Sequence, residues 1–156
     1  MNTRRRRTLE AAGGVGLYAA LAALGLVPAG ASAAPPFNAA AFQTRSIADT
    51  LKALGANATS DSKDIAIVAN EVAENGALVP VTVRSRLPGT EMIALLVEKN
   101  PNALAGAYFL LDGMEPEIAM RIKMNQSSDV YAVVKADGRF YTTRREIKVT
   151  LGGCGG

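Results

Sequence analysis

The last five residues, Gly152-Gly153-Cys154-Gly155-Gly156, concentrate the reactive chemistry of the sequence. Cys154 is the sole cysteine of a 156-residue chain, and the other four residues of this ending are glycines. Because glycine loses more backbone freedom on ordering than any other residue, we expect Gly152, Gly153, Gly155 and Gly156 to form a flexible arm. The thiol has no bulky neighbour, so it can enter a narrow channel in another protein. The ending therefore predicts a thiol on a flexible arm, which is either reactive or pairs with another molecule.

The composition argues against most other kinds of site. The chain has no histidine, which is the commonest general base and the commonest metal ligand. A single cysteine permits neither an internal disulfide nor a cysteine-cluster zinc site. We therefore predict no catalytic residue, no metal and no cofactor. The arm has no base or cation to activate the thiol, so the activating groups are expected on partner enzymes.

The charge of the chain is unevenly placed. The first ten residues hold four arginines and one glutamate, which account for the whole net charge of +3. The rest of the chain is therefore neutral. A domain that binds nucleic acid needs a surplus of Lys and Arg to displace phosphate counterions. We expect no nucleic-acid partner.

The first 33 residues are predicted to be an export signal. Arg6-Arg7 is followed by Leu9, which resembles a twin-arginine signal. The apolar run over 11–27 is short for a membrane span, which needs about 20 apolar residues. The small residues around Ala33 favour cleavage after that position. We expect the mature chain in the periplasm, with no membrane contact after cleavage; an ordinary secretory signal and an uncleaved anchor are the alternatives.

Residues 34–63 are predicted to be a lead-in that contains one amphipathic helix, over about 39–54. Ile47, Leu51 and Leu54 recur at helical spacing, and a glycine follows them as a stop signal.

From residue 64 to 151 the pattern is that of strands. Short apolar or alternating segments are separated by turn signals, of which Asp137-Gly138 is the strongest hairpin signal. About seven strands without a second helix predict a mainly β fold, an antiparallel β-sandwich of the immunoglobulin type. The runs 92–97 and 104–111 are more apolar than one buried face requires. Each is a strand buried on both faces or a partner surface, and we favour the partner surface.

Several segments resemble the SoxY family, the sulfur-carrier subunits of the bacterial thiosulfate-oxidising system. The resemblance covers most of the predicted mature chain, and the ending from Lys148 to Gly156 is its most specific part. The other segments that carry it are Ala73-Glu74-Asn75-Gly76 leading into Val79-Pro80-Val81, Glu98-Lys99-Asn100-Pro101, and the run from Arg121 to Ser128.

The resemblance implies an exported immunoglobulin-like sandwich that pairs with a smaller sandwich subunit, SoxZ. It implies that a haem enzyme links thiosulfate to Cys154 in an oxidative step and that a hydrolase then releases sulfate. Other enzymes, a sulfane dehydrogenase among them, process the sulfur that stays on the thiol. On this interpretation the chain carries sulfur between enzymes and is not itself a catalyst.

Two alternatives stay open. The ending Gly155-Gly156 also suits a carrier that is activated as a C-terminal thiocarboxylate, although an exported protein has no access to ATP-dependent activation in the cytoplasm. The other alternative is a periplasmic binding module whose Cys154 forms an interchain disulfide.

Overall fold

The computed structural model of the chain describes residues 38–151. Within this range the protein has two short helices and nine strands. No helix in the range is long and apolar enough to cross a membrane. The predicted export signal, with Arg6-Arg7 and the cleavage site after Ala33, and the predicted arm over 152–156 lie outside the described residues.

The helical segment consists of two helices, α1 (Ala39–Phe42) and α2 (Ile47–Ala53). The prediction of one continuous helix over about 39–54 was therefore wrong. Ser46 has an extended backbone, with φ −123° and ψ 154°, which cannot continue a helix. Its hydroxyl accepts a hydrogen bond from the Asp49 N–H at 3.1 Å, so Ser46 starts a new helix as its N-cap.

The strands form two sheets. The six-stranded sheet has the order β1-β9-β8-β5-β6, and β3 also pairs with β9. The three-stranded sheet has the order β2-β4-β7. The strands are β1 (Thr59–Asp61), β2 (Ile65–Val68), β3 (Val72–Asn75), β4 (Val79–Ser85), β5 (Thr90–Val97), β6 (Leu104–Phe109), β7 (Glu117–Ile122), β8 (Ser128–Ala136) and β9 (Arg139–Leu151).

The predicted immunoglobulin-like β-sandwich is confirmed, with two differences. First, β1 and β3 were not predicted as strands, and each pairs with β9 in parallel, so the sheet is not purely antiparallel. Second, β1 joins the sheet before residue 64, where the sandwich was expected to begin. Both strands are only three or four residues long and mostly exposed. They are held by main-chain bonds to β9, which leave no alternating apolar signal in a sequence.

The hairpin predicted at Asp137-Gly138 joins β8 to β9 in a two-residue turn. Both residues have positive φ, 47° and 71°, as a mirror-type turn requires. Glu91 supports the turn, since its carboxylate accepts hydrogen bonds from the Gly138 N–H at 2.9 Å and from Lys135 Nζ at 2.5 Å. These bonds hold the pKa of Glu91 below its ordinary value, and the bond from Lys135 contributes most.

Strand β5 is buried on both faces. One face points between the two sheets and the other points at the helices. The prediction of a partner surface over 92–97 was therefore wrong, because α1 and α2 of the same chain cover the outer face. The side chains between the sheets are Ile93, Leu95 and Val97, and those beneath the helices are Met92, Ala94 and Leu96.

The double-sided core predicts a strong dependence on Leu95, which is 1% exposed. Leu95→Ala should lower the free energy of unfolding by about 2–5 kcal/mol, because it removes buried methyl groups and leaves a cavity. Urea denaturation measures the change. Leu111→Ala is the matched control: Leu111 is 69% exposed, so its loss should stay within about 0.5 kcal/mol. Equal effects of the two substitutions would contradict the assignment of the core.

Candidate functional site

The candidate site is the end of β9, from which the chain continues to Cys154. Strand β9 ends at Leu151, three residues before the cysteine. Three extended residues span roughly 10 Å at about 3.3–3.6 Å each, so the main chain at Cys154 stays within this distance of Leu151. The side chain of Leu151 is 62% exposed, which places the start of the arm at the protein surface. Cys154 and its glycines lie outside the described residues.

On one side, the end of β9 is held by β3. The two strands run parallel, with Asn75 opposite Leu151. The Gly76 N–H donates to the carbonyl oxygen of Leu151 at 2.7 Å. The hydroxyl of Thr150 donates to the carbonyl oxygen of Glu74 at 2.8 Å. Main-chain pairing therefore continues to the last residue of the strand.

On the other side, where β8 does not reach the end of β9, a serine side chain supplies a hydrogen bond. Strand β8 begins at Ser128, opposite Ile147, so the last residues of β9 extend past it. The hydroxyl of Ser127 accepts a hydrogen bond from the Val149 N–H at 2.9 Å. We call these three hydrogen bonds, made by Gly76, Thr150 and Ser127, the terminal clamp.

The surface beside the clamp has balanced charge. An open groove of about 510 Å³ is lined by two acidic and two basic side chains. Arg145 and Glu71 in this groove approach to 4.0 Å. The groove therefore gives no net positive field that would select an anionic sulfur adduct. The lining residues are Glu71, Val72, Arg145, Glu146 and Lys148.

An apolar pocket of about 470 Å³ lies between the helices and the six-stranded sheet. Its charged lining residue, Lys135, already contacts Glu91. Both Lys135 and Phe140, which also lines the pocket, lie near the β8–β9 hairpin, at the opposite end of β9 from Leu151. The pocket thus takes no part in the site at the arm. Among residues 38–151, no three His, Cys, Asp or Glu side chains are grouped so as to hold a metal ion.

The assignment of Cys154 as the reactive residue stays a prediction, since it lies outside the described residues. The contacts that hold the end of β9 were not predicted from the sequence. Ser127 and Glu74-Asn75-Gly76 were noted only as parts of segments that resemble the SoxY family. A serine just before a strand is too common a pattern to indicate a bond to a neighbouring strand.

The terminal clamp predicts that Ser127→Ala loosens the end of β9. The substitution leaves the half-buried Val149 N–H without its acceptor, so stability should fall by about 1 kcal/mol. Amide exchange at Val149 should be faster, as hydrogen exchange followed by NMR would show. Substitution of the exposed Ser60 by alanine is the control and should leave this exchange unchanged. Unaltered exchange at Val149 in Ser127→Ala would mean that Ser127 does not hold the strand.

The chain is similar to known sulfur oxidation proteins. A family model described as "Sulfur oxidation protein SoxY" matches residues 51–154, a range that ends at Cys154. Among solved structures, the chain is similar to the sulfur carrier protein SoxY from Chlorobium limicola f thiosulfatophilum, with 35% sequence identity and a TM-score of 0.63. The similarity covers 70% of this chain and 96% of that one. No curated protein matches the chain. Because the family match spans well over half of the residues, the chain belongs to the SoxY family of sulfur oxidation proteins.

Proposed function

We propose that this protein is a periplasmic sulfur carrier that holds thiosulfate-derived sulfur on the thiol of Cys154 and presents it to partner enzymes. The observation that carries the proposal is the family match, whose range runs to Cys154. The similar structure from Chlorobium limicola is also named a sulfur carrier protein.

The geometry at the end of β9 suits a carrier. A carrier needs a fixed base, so that partner enzymes can dock, and a thiol that reaches beyond it. The terminal clamp holds the strand up to Leu151. The five residues that follow contain four glycines, whose sequence favours a flexible arm.

The proposed chemistry on the arm has two steps. The Cys154 thiolate and thiosulfate together lose two electrons to an oxidising haem enzyme, and a sulfur–sulfur bond forms between them. Water then cleaves the bond between the terminal sulfonate and its neighbouring sulfur, which releases sulfate and two protons and leaves a persulfide on Cys154. Both catalytic centres belong to partner enzymes, so the chain is the covalent holder of the substrate.

The proposal includes the route and the partners. The signal at Arg6-Arg7 and the site after Ala33 support twin-arginine export and cleavage, which delivers a mature chain to the periplasm. A SoxZ-like β-sandwich subunit forms the stable heterodimer. The haem enzyme, the sulfate-releasing hydrolase and a sulfane dehydrogenase are transient partners.

Replacing the thiol tests the proposal. Cys154→Ser should abolish both the sulfur adduct and thiosulfate-dependent sulfate production with the partner enzymes, because serine cannot form a disulfide-type bond. The thermal unfolding midpoint should not change, since the residue follows the last strand. Intact mass and a sulfate assay are the measurements. Sulfate production that continues in Cys154→Ser would contradict the proposal.

A shortened arm distinguishes the access of partner enzymes to Cys154 from the chemical reactivity of its thiol. Deletion of Gly155 and Gly156 should slow enzyme-dependent loading of Cys154 several-fold, because the arm presents less flexible chain to an enzyme channel. Labelling of the thiol by a small alkylating reagent should stay within a factor of about two, since the thiol keeps its solvent access. Parallel loss in the two assays would refute the role of the arm.

A further inference from the structure

The apolar pocket between the helices and the six-stranded sheet reaches the outer core of the protein. Its volume is about 470 Å³. The helices line it with Phe42 and Leu54, and the sheet lines it with Leu104 and Phe140. Phe42, Leu54 and Phe140 are only partly buried against the core cluster beneath the helices. An apolar group bound in the pocket would bury these side chains further, which is favourable.

The pocket suits an uncharged occupant. Among its described lining residues the one charged side chain is that of Lys135, whose ammonium group is already paired with Glu91. A charged group in the pocket would lose part of its hydration without gaining an unpaired counter-ion from these residues. The occupant is therefore expected to be apolar.

Asn38 fixes the start of the described chain at the edge of the pocket, of which it is a lining residue. Its amide nitrogen donates to the carbonyl oxygen of Ala53 at 2.8 Å, and its amide oxygen accepts from the Ala41 N–H at 3.1 Å. These two bonds tie Asn38 to both helices. Because adjacent Cα atoms are about 3.8 Å apart, the Cα of the preceding residue, Phe37, must also lie close to the pocket.

The start of α1 directs Phe37 toward the pocket. Asn38 is the N-cap of this helix. An apolar residue directly before an N-cap packs against the fourth residue of the helix in the arrangement known as a hydrophobic staple. The two positions are occupied here by Phe37 and Phe42, and Phe42 lines the pocket. A staple between them brings the ring of Phe37 to the helix wall of the pocket.

Helix α1 depends on packing of this kind because it has only four residues. Isolated helices shorter than about 12–15 residues are marginally stable in water, so most of the stability of α1 must come from tertiary contacts. Ala41, which is fully buried, supplies one such contact. A staple from Phe37 would supply another at the first turn of the helix.

The segment before Asn38 has a sequence suited to an apolar site. Ala34-Pro35-Pro36-Phe37 contains no charged side chain. Each proline has a fixed φ and no side-chain rotamers to lose, so ordering this segment costs less conformational entropy than ordering most others. The predicted cleavage after Ala33 would leave the whole segment on the mature chain.

Covalent attachment favours Phe37 over a separate molecule as the occupant. A group joined to the edge of a site by a very short linker has an effective concentration in the millimolar range or above. A free apolar ligand, or a side chain from a second copy of the protein, would have to compete with it.

We infer that the apolar pocket is the binding site of Phe37 from the same chain. The ring of Phe37 packs between Phe42 of the helices and Phe140 of the sheet. It closes the outer core over β5 and ties the segment before the helices to the hairpin end of the sheet, away from the arm. The inference goes beyond the proposed function, because it rests on the pocket and on the start of α1 and not on sulfur chemistry.

Nuclear Overhauser effects (NOEs) measured by NMR on the full chain test the inference directly. The aromatic protons of Phe37 should show NOEs to the methyl groups of Leu54 and Leu104, which belong to the helix wall and the sheet wall of the pocket. These signals should vanish in Phe37→Leu, which assigns them to this ring. A folded chain in which Phe37 shows NOEs to neither leucine would overturn the inference.

Thermal unfolding gives a second test. Phe37→Ala should lower the unfolding midpoint by at least about 4 °C, because it removes an aromatic side chain that is buried in the pocket. Phe37→Leu should retain at least half of this stabilisation, since leucine still fills part of the pocket. Leu78→Ala is the matched control: Leu78 is 61% exposed, so the midpoint should change by less than half as much. An unchanged midpoint in Phe37→Ala would contradict the inference.

An uncharged apolar dye, Nile red, reports whether the pocket is open. Its fluorescence with Phe37→Ala should be several times that with the native chain, because the substitution frees an apolar site. Addition of the dye to Phe37→Ala should shift the NMR signals of the Leu54 and Leu104 methyl groups. Strong dye binding by the native chain, equal to that of Phe37→Ala, would show that Phe37 does not fill the pocket and would overturn the inference.

A mixture of isotope-labelled and unlabelled chains tests whether the ring comes from the same molecule. The NOEs of Phe37 should all arise within one chain. NOEs from Phe37 of one chain to Leu54 or Leu104 of another would show that the pocket takes the side chain of a second copy, and would overturn the inference.

Discussion

The pairing of β9 on both of its sides is the constraint on which the rest of the structure depends. Strand β8 bonds to it through the tight turn at Asp137-Gly138. On its other side β1 and then β3 bond to it in parallel, one after the other. At thirteen residues it is also the longest strand of residues 38–151. Cys154 follows this strand by three residues. The position of Leu151 in the sheet therefore limits where the thiol can lie.

The two ends of the six-stranded sheet carry different surfaces. At the hairpin end lie the apolar pocket and the half-exposed side chain of Phe109. At the other end lie the terminal clamp and a groove of balanced charge. The sequence has no histidine and therefore lacks the commonest general base.

Alternating patterns predicted the sandwich well, because burial between two sheets imposes a period of two on β4 and β8. These patterns missed the elements that hydrogen bonds, and not apolar burial, hold in place. Strands β1 and β3 are held by the main chain of β9, and Ser127 acts through one hydroxyl, so none of them leaves an apolar pattern. The double-sided burial of β5 was misinterpreted because the sequence predicted a helix over about 39–54 but not that it packs on this strand. The role of Cys154 stays a prediction, which rests on its unusual glycine neighbours.

Mass spectrometry of the native protein, isolated from the periplasm of cells that oxidise thiosulfate, tests the central claim most directly. The account predicts a mature chain whose C-terminal peptide carries sulfur on Cys154 and loses it on treatment with a reducing agent. A chain found only as an interchain disulfide dimer would contradict the account. So would a C-terminal peptide whose added sulfur resists reduction and resides on the terminal carboxyl group of Gly156.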